Sequence, residues 1–203
     1  MAAAERLFAE QGLVAVSNRQ ISDAAGLGNN TAVSYHFGSK SGLVRAIMRD
    51  HADATEAIRE RHLARCATSN DIRDWVGCLV RPSCEHLAEL GVPSWHGRFA
   101  AQAMADPVLR AIAIDEALER PALRRTLEGL AARITDVPLQ VRAERADMAR
   151  HLILQTCAER ERALADGTAT RHTSWTHTAD TLADAVVGLF LAPVTVRPLR
   201  AVP

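Results

Sequence analysis

Apolar residues recur at helical spacing along almost the whole chain, and outside its C-terminal tail they never alternate as a strand requires. Near the N-terminus, Ser17 and Gln20 stand three apart at the head of an apolar run. That is the capping-box pattern, in which the Ser17 hydroxyl accepts from the Gln20 N–H and the Gln20 side chain reaches back. Val16 before the cap and Ile21 after it are placed to form a hydrophobic staple. The helix runs through Ile21, Ala24 and Ala25 and stops at Gly26, which accepts the left-handed conformation of a helix end. Asn29 or Asn30 can cap a second short helix. On it Val33 and Phe37 form an inward stripe, Thr31 and Tyr35 lie nearly opposite, and Asn30 and Ser34 flank them. Two short helices about a glycine turn, the second with a small polar outer face, form a helix-turn-helix pattern. The same residues also suit a small solvated helix of any all-α domain, and periodicity alone does not separate the two.

Beyond this head, punctuation divides the chain into further helices. A long one covers about Ser41 to Arg65, with Leu43, Ile47, Ala54 and Ile58 inward, and links head to body. After a polar break the next spans Ile72 to Leu90, where the interior Pro82 is expected to interrupt and kink it. A turn at Gly91-Val92-Pro93-Ser94 precedes a short helix from Trp95 to Met104. Segments follow at Pro107–Ile114, Pro121–Ile134, Pro138–Asp166 and Ser174–Leu191. The fold expected is therefore all-α, with a helix-turn-helix head over residues 1–50, a helical body over residues 51–192 and a flexible tail over residues 193–203.

Composition narrows the chemistry. Twenty-four Lys and Arg balance twenty-four Asp and Glu, yet the only tyrosine, Tyr35, and the only lysine, Lys40, fall within six residues of each other. A neutral chain binds duplex weakly as a monomer, because affinity comes chiefly from neutralised phosphates. A two-fold dimer on a palindromic site doubles the contacts, and Arg19, Lys40, Arg45 and Arg49 can gather near the backbone. The cysteines at 66, 78, 84 and 157 show no disulfide-framework spacing and fit reduced, cytoplasmic thiols. No Cys-x-x-Cys pair occurs. Cys78 and Cys84 fall on opposite helix faces, and His51 and His62 share a face that reads as solvated, so no metal site is expected. No Gly-x-Ser-x-Gly elbow or phosphate loop is present, so neither an enzyme nor a cofactor is expected. No apolar run approaches the roughly 20 residues that span a bilayer, and the N-terminus has no signal-peptide pattern.

Two further roles are assigned to the body. Ala179, Leu182, Ala183, Val186, Leu189 and Phe190 make a stripe on the last helix, and Met148, Leu152 and Ile153 one on the helix before it. Met148, Leu152, Leu182, Val186, Leu189 and Phe190 are candidates for an isologous four-helix dimer interface, or else face the protomer's own core. Trp75, Trp95 and Phe99 fall in the central region with Cys78, Leu79 and Met104, and His96 can add a polar group. They make either a small-molecule pocket or an ordinary aromatic core.

An ordered set of motifs extends through residues 5 to 50: Glu5-Arg6-Leu7-Phe8-Ala9-Glu10-Gln11-Gly12, then Ile21-Ser22-Asp23-Ala24-Ala25-Gly26-Leu27, then Tyr35-His36-Phe37-Gly38-Ser39-Lys40, then Leu43. The set resembles the DNA-binding domain of TetR-family transcriptional regulators, and its Asn-Asn-Thr-Ala-Val stretch a subset of them. The resemblance implies a three-helix DNA-binding head, a helical ligand-binding body and a homodimer on a palindromic double-stranded operator. Carried over, Tyr35, His36 and Lys40 are phosphate contacts and the preceding helix residues read bases. The candidate DNA-facing set is Arg19, Asn29, Asn30, Thr31, Ser34, Tyr35, His36 and Lys40.

Two departures stand out. The segment from Gly26 to Phe37 is one residue longer than the commonest family form, and Ser34 replaces a usual tyrosine. Met1 also sits almost inside the first helix, where family members usually carry a basic arm. Two functions follow. One is a regulator, a repressor released from its operator by a small apolar or amphipathic ligand. The other is a helical small-molecule-binding or interaction protein whose head is too short to hold an operator.

Overall fold

The computed structural model describes residues 1–27, 31–168 and 174–195. Among them the chain is all-helical, without a strand. Three short helices, α1 (Ala2–Gln11), α2 (Asn18–Ala24) and α3 (Ala32–Phe37), form the head. The body comprises α4 (Lys40–Cys66), α5 (Ile72–Leu90), α6 (His96–Ala105), α7 (Pro107–Leu118), α8 (Pro121–Ala131), α9 (Leu139–Ala165) and α10 (Trp175–Leu191). The α4 helix runs unbroken across position 50.

Side-chain caps set several starts. Ser39 accepts from Gly42 at α4, Asp71 from Arg73 at α5, Asp106 from Val108 and Leu109 at α7, and Ser174 from His177 at α10. Pro107 and Pro121 occupy first helical positions, where a missing N–H goes unnoticed. Pro82 does not end α5, contrary to the interruption expected. The helix continues through it to Leu90 with the ring buried, so tertiary packing outweighs the lost hydrogen bond.

Two apolar clusters hold the molecule. The larger joins α5 and α10 with parts of α4, α8 and α9 around Val76, Val80, Leu182, Val186 and Phe190. The smaller contains the head residues Phe8, Val16, Ile21 and Val33, together with Leu43 and Ile47 of α4, Phe99 and Ala103 of α6 and Leu109 of α7. Head and body therefore share one core, and α1 rests directly on α6. Phe8 and Phe99 stack there with ring centroids 6.1 Å apart and both rings fully buried.

The α6 helix has no cap from its own N-cap residue, Trp95. Glu161 of α9 supplies one instead. Its Oε1 accepts from Ser94 Oγ at 2.8 Å and the Gly97 N–H at 3.0 Å; its Oε2 accepts from the Arg98 N–H at 2.9 Å and Arg98 Nε at 3.2 Å. A carboxylate at a helix N-terminus also meets the positive end of the backbone dipole. The floor beneath the head is thus clamped to α9, one of the two longest helices of the body.

Candidate nucleic-acid interface and central cavity

The head is assembled by the local chemistry its sequence specifies. Ser17 Oγ accepts from the Gln20 N–H and Gln20 Oε1 accepts from the Ser17 N–H at 2.8 Å, completing the capping box. Val16 and Ile21 are both buried beneath it. After α2, Gly26 takes a φ of 69°, the left-handed turn expected there. On α3, Val33 is buried and Phe37 packs against the head core, while Thr31, Ser34, Tyr35 and His36 face solvent. Tyr35 is 84% exposed, its ring edge-on to His36 at 5.0 Å. Asn29 and Asn30 lie outside the described residues.

Three cations expected near a DNA backbone are engaged elsewhere. Lys40 Nζ donates to the carbonyls of Leu13 and Val16 at 2.8 and 3.0 Å, closing the loop between α1 and α2. An ammonium has three donors, so one is left for a phosphate. Arg45 and Arg49 both pair with Glu116 of α7 at 2.9 Å rather than gathering with Lys40. Those two guanidinium groups hold the Glu116 carboxyl below the usual carboxylate range. Arg19 remains exposed, 3.8 Å from Asp23.

A cavity of about 600 Å³ opens in the body, bounded by α4 to α10. Its wall is largely aliphatic, with Leu123, Leu127 and Leu130 of α8, Ile114 of α7 and Leu154 of α9. Nitrogen-bearing side chains, among them His51, His96, Arg120 and Arg150, interrupt it. Buried His96 Nδ1, Arg120 Nε and Arg150 Nη1 have no hydrogen-bond partner within the chain. The wall thus combines apolar area with unspent polar capacity, a combination suited to an amphipathic guest.

Of the pocket residues read from sequence, Leu79, His96 and Met104 line this cavity. Trp75, Cys78, Trp95 and Phe99 do not. Trp75 lies against Gly129, stacks under Arg133 at 4.6 Å and donates from Nε1 to the Ser69 carbonyl. Cys78 Sγ sits 2.9 Å from Cys66 Sγ, and burial pushes its thiol pKa well up. Trp95 packs on the head cluster, and Phe99 on Phe8. Helices α5 and α6 each carry two buried faces, and spacing along the sequence does not reveal which one meets empty space.

The stripe read as a dimer interface divides into buried and exposed positions. Leu182, Val186 and Phe190 are buried in the protomer's own core, where α10 packs along α5, and Leu189 is half-buried against it. Ion pairs of Arg73 with Asp184 and of Arg81 with Asp180 flank that seam. On α9, however, Met148 and Leu152 are 53% and 38% exposed, and Leu191 at the end of α10 is exposed as well. Arg145 of α9 donates to the Phe190 carbonyl near the end of α10.

One constellation escaped the sequence reading. His51, read there as solvated, is largely buried against His86 and His96, and each imidazole comes from a different helix. Positions so far apart carry no local spacing motif. Burial and the neighbouring imidazoles push the pKa of His86 down and that of His96 further down.

Residues 1–47 match the family model described as bacterial regulatory proteins, tetR family. No curated protein matches the chain. Among the described residues no helix is long and apolar enough to cross a membrane.

Proposed function

We propose that this protein is a homodimeric, sequence-specific DNA-binding transcriptional regulator, a repressor released from its operator by a small apolar or amphipathic ligand. The observation that carries the reading is the coincidence of the tetR match at residues 1–47 with an α3 helix whose polar face stands exposed. In this reading Thr31 and Ser34, with Asn29 and Asn30 before them, address base edges. Tyr35, His36 and the remaining Lys40 proton meet phosphates, and Arg19 adds charge. Few free cations remain on the head, so one head binds weakly and pairing two makes a usable affinity. The exposed Met148, Leu152 and Leu191 supply the apolar surface for that pairing.

The cavity supports the second half of the reading. It abuts α4 and α6, which also carry the head core through Leu43, Ile47 and Phe99. A guest that binds better when those helices are displaced shifts the population toward a state whose heads no longer match the operator. Selection from random duplex DNA at low salt tests the proposal. A palindrome with half-sites about one helical turn or more apart is the expected outcome. Enrichment of nothing would leave a helical ligand-binding or interaction protein instead.

A further inference from the structure

Where α1 meets the body, one side chain from each of four helices converges. His51 of α4 places Nδ1 2.7 Å from His86 Nε2 of α5, and its own Nε2 lies 3.0 Å from Glu5 Oε1 of α1. His96, in the first turn of α6, stacks on His51 with centroids 3.8 Å apart and an interplanar angle of 20°. Its buried Nδ1 has no hydrogen-bond partner and stands 3.9 Å from Glu5 Oε1. Each imidazole offers a ring nitrogen, and those atoms lie within 4.8 Å of one another. Three largely buried imidazoles thus meet beside one carboxylate, with one ring nitrogen left without a partner.

We propose that His51, His86 and His96 bind one zinc ion, with Glu5 holding His51 from behind. Zinc takes imidazole nitrogens at about 2.0–2.1 Å in a tetrahedron, which sets ligand atoms about 3.4 Å apart. The 2.7 Å contact of His51 with His86 is a proton-bridged distance; the ion takes the proton's place as His86 shifts to its Nδ1–H tautomer and the two rings part by about 0.7 Å. His96 turns off the face of His51 to bring its nitrogen in. The Glu5–His51 contact is the carboxylate–histidine arrangement that orients a metal-bound ring and raises its basicity. The fourth position faces the central cavity, because His51 and His96 are part of its wall. A loaded site ties α1 to α4, α5 and α6, so its occupancy sets the seat of the head; that consequence alone rests on the DNA-binding reading.

The test uses the full chain stripped with a chelator and no DNA, so it succeeds or fails independently of operator binding. Zinc is titrated against a chromophoric competitor, and cobalt(II) serves as the spectroscopic stand-in. The result expected is one ion per protomer, a visible cobalt band of tetrahedral intensity, and no thiolate charge-transfer band. Glu5→Gln should weaken binding about 10- to 100-fold, and His86→Ala or His96→Ala more than that, with His62→Ala unchanged. Zinc should raise the melting temperature of the wild type, which reports on the site even if a variant misfolds. No stoichiometric binding at micromolar zinc would overturn the proposal. So would a thiolate band, which assigns the ion to cysteines, or full binding by folded His86→Ala.

Discussion

Replacing Glu161 by glutamine changes one atom in a buried site and should be among the most damaging single substitutions in the chain. Glu161 is 2% exposed and takes four donors, two on each carboxylate oxygen. An amide has one acceptor oxygen, so either flip turns an NH₂ toward two of those donors. Each orphaned donor costs about 1–3 kcal/mol. The Arg98 guanidinium, itself buried, also loses its counter-charge in either flip, and in one of them keeps only the Ser94 carbonyl. Breaking a buried ion pair by removing one partner costs about 3–5 kcal/mol, a range that already includes such orphaned groups. At roughly 2–4 °C per kcal/mol for a domain of this size, Glu161→Gln should lower the melting temperature by about 6–20 °C. Urea titration followed by circular dichroism measures the same loss as a shift in midpoint with unchanged slope. Because α6 carries Phe99 beneath α1, amide exchange in α1 should quicken along with that in α6. A loss below about 1 kcal/mol, the value of a surface pair, would refute the account of Glu161 as the cap of α6.

Three further outcomes follow from the same geometry. A Cβ at Gly129 would lie 2.0 Å from the Trp75 ring, so Gly129→Ala should destabilise by about 1–3 kcal/mol and alter tryptophan fluorescence; an unchanged melt would show that the ring has room to move. Glu116→Gln removes the shared partner of Arg45 and Arg49 and should cost less than about 1 kcal/mol at pH 7, since the pairs are partly exposed. The folded state lowers the Glu116 pKa, so this contribution is present above about pH 4.3, is lost as pH falls through the lowered value, and wild type and variant should converge in acid. All four cysteines are buried and the pKa values of Cys78 and Cys157 are raised, so a thiol reagent at pH 8 should label the native protein slowly and the urea-unfolded protein fully; rapid native labelling would contradict that burial.

Helix starts were legible because caps and prolines are local, whereas the ends of α7 and α8 fall three or four residues from where the spacing put them. Asp71, Asp106-Pro107, Pro121 and Ser174 each mark an edge within a residue of where it forms. The face of α3 was legible for the same reason, since Val33 and Phe37 turn inward and leave Tyr35 outside. Where several partners compete for one side chain, sequence patterning falls short. Lys40 is as available to a phosphate as to the carbonyls of Leu13 and Val16 until the loop is folded around it. Leu182 and Val186 carry the periodicity of any buried helix face, and nothing in it tells α5 from a second protomer. The histidine cluster joins positions 51, 86 and 96, which become neighbours only through tertiary packing.

The central claim is that α3 reads duplex DNA, and the most direct measurement is affinity across a panel of single-base variants of a selected site at fixed salt. Wild type would be compared with Thr31→Ala, Ser34→Ala and Tyr35→Ala. Tyr35→Ala should weaken binding by a similar factor on every sequence, as a lost phosphate contact does. Thr31→Ala and Ser34→Ala should change the order of preference among bases at particular positions, with each altered base pair worth about 1–3 kcal/mol. Affinities and preferences indistinguishable from wild type in all three variants would contradict the claim, because a helix seated in the groove cannot lose its outer face unnoticed.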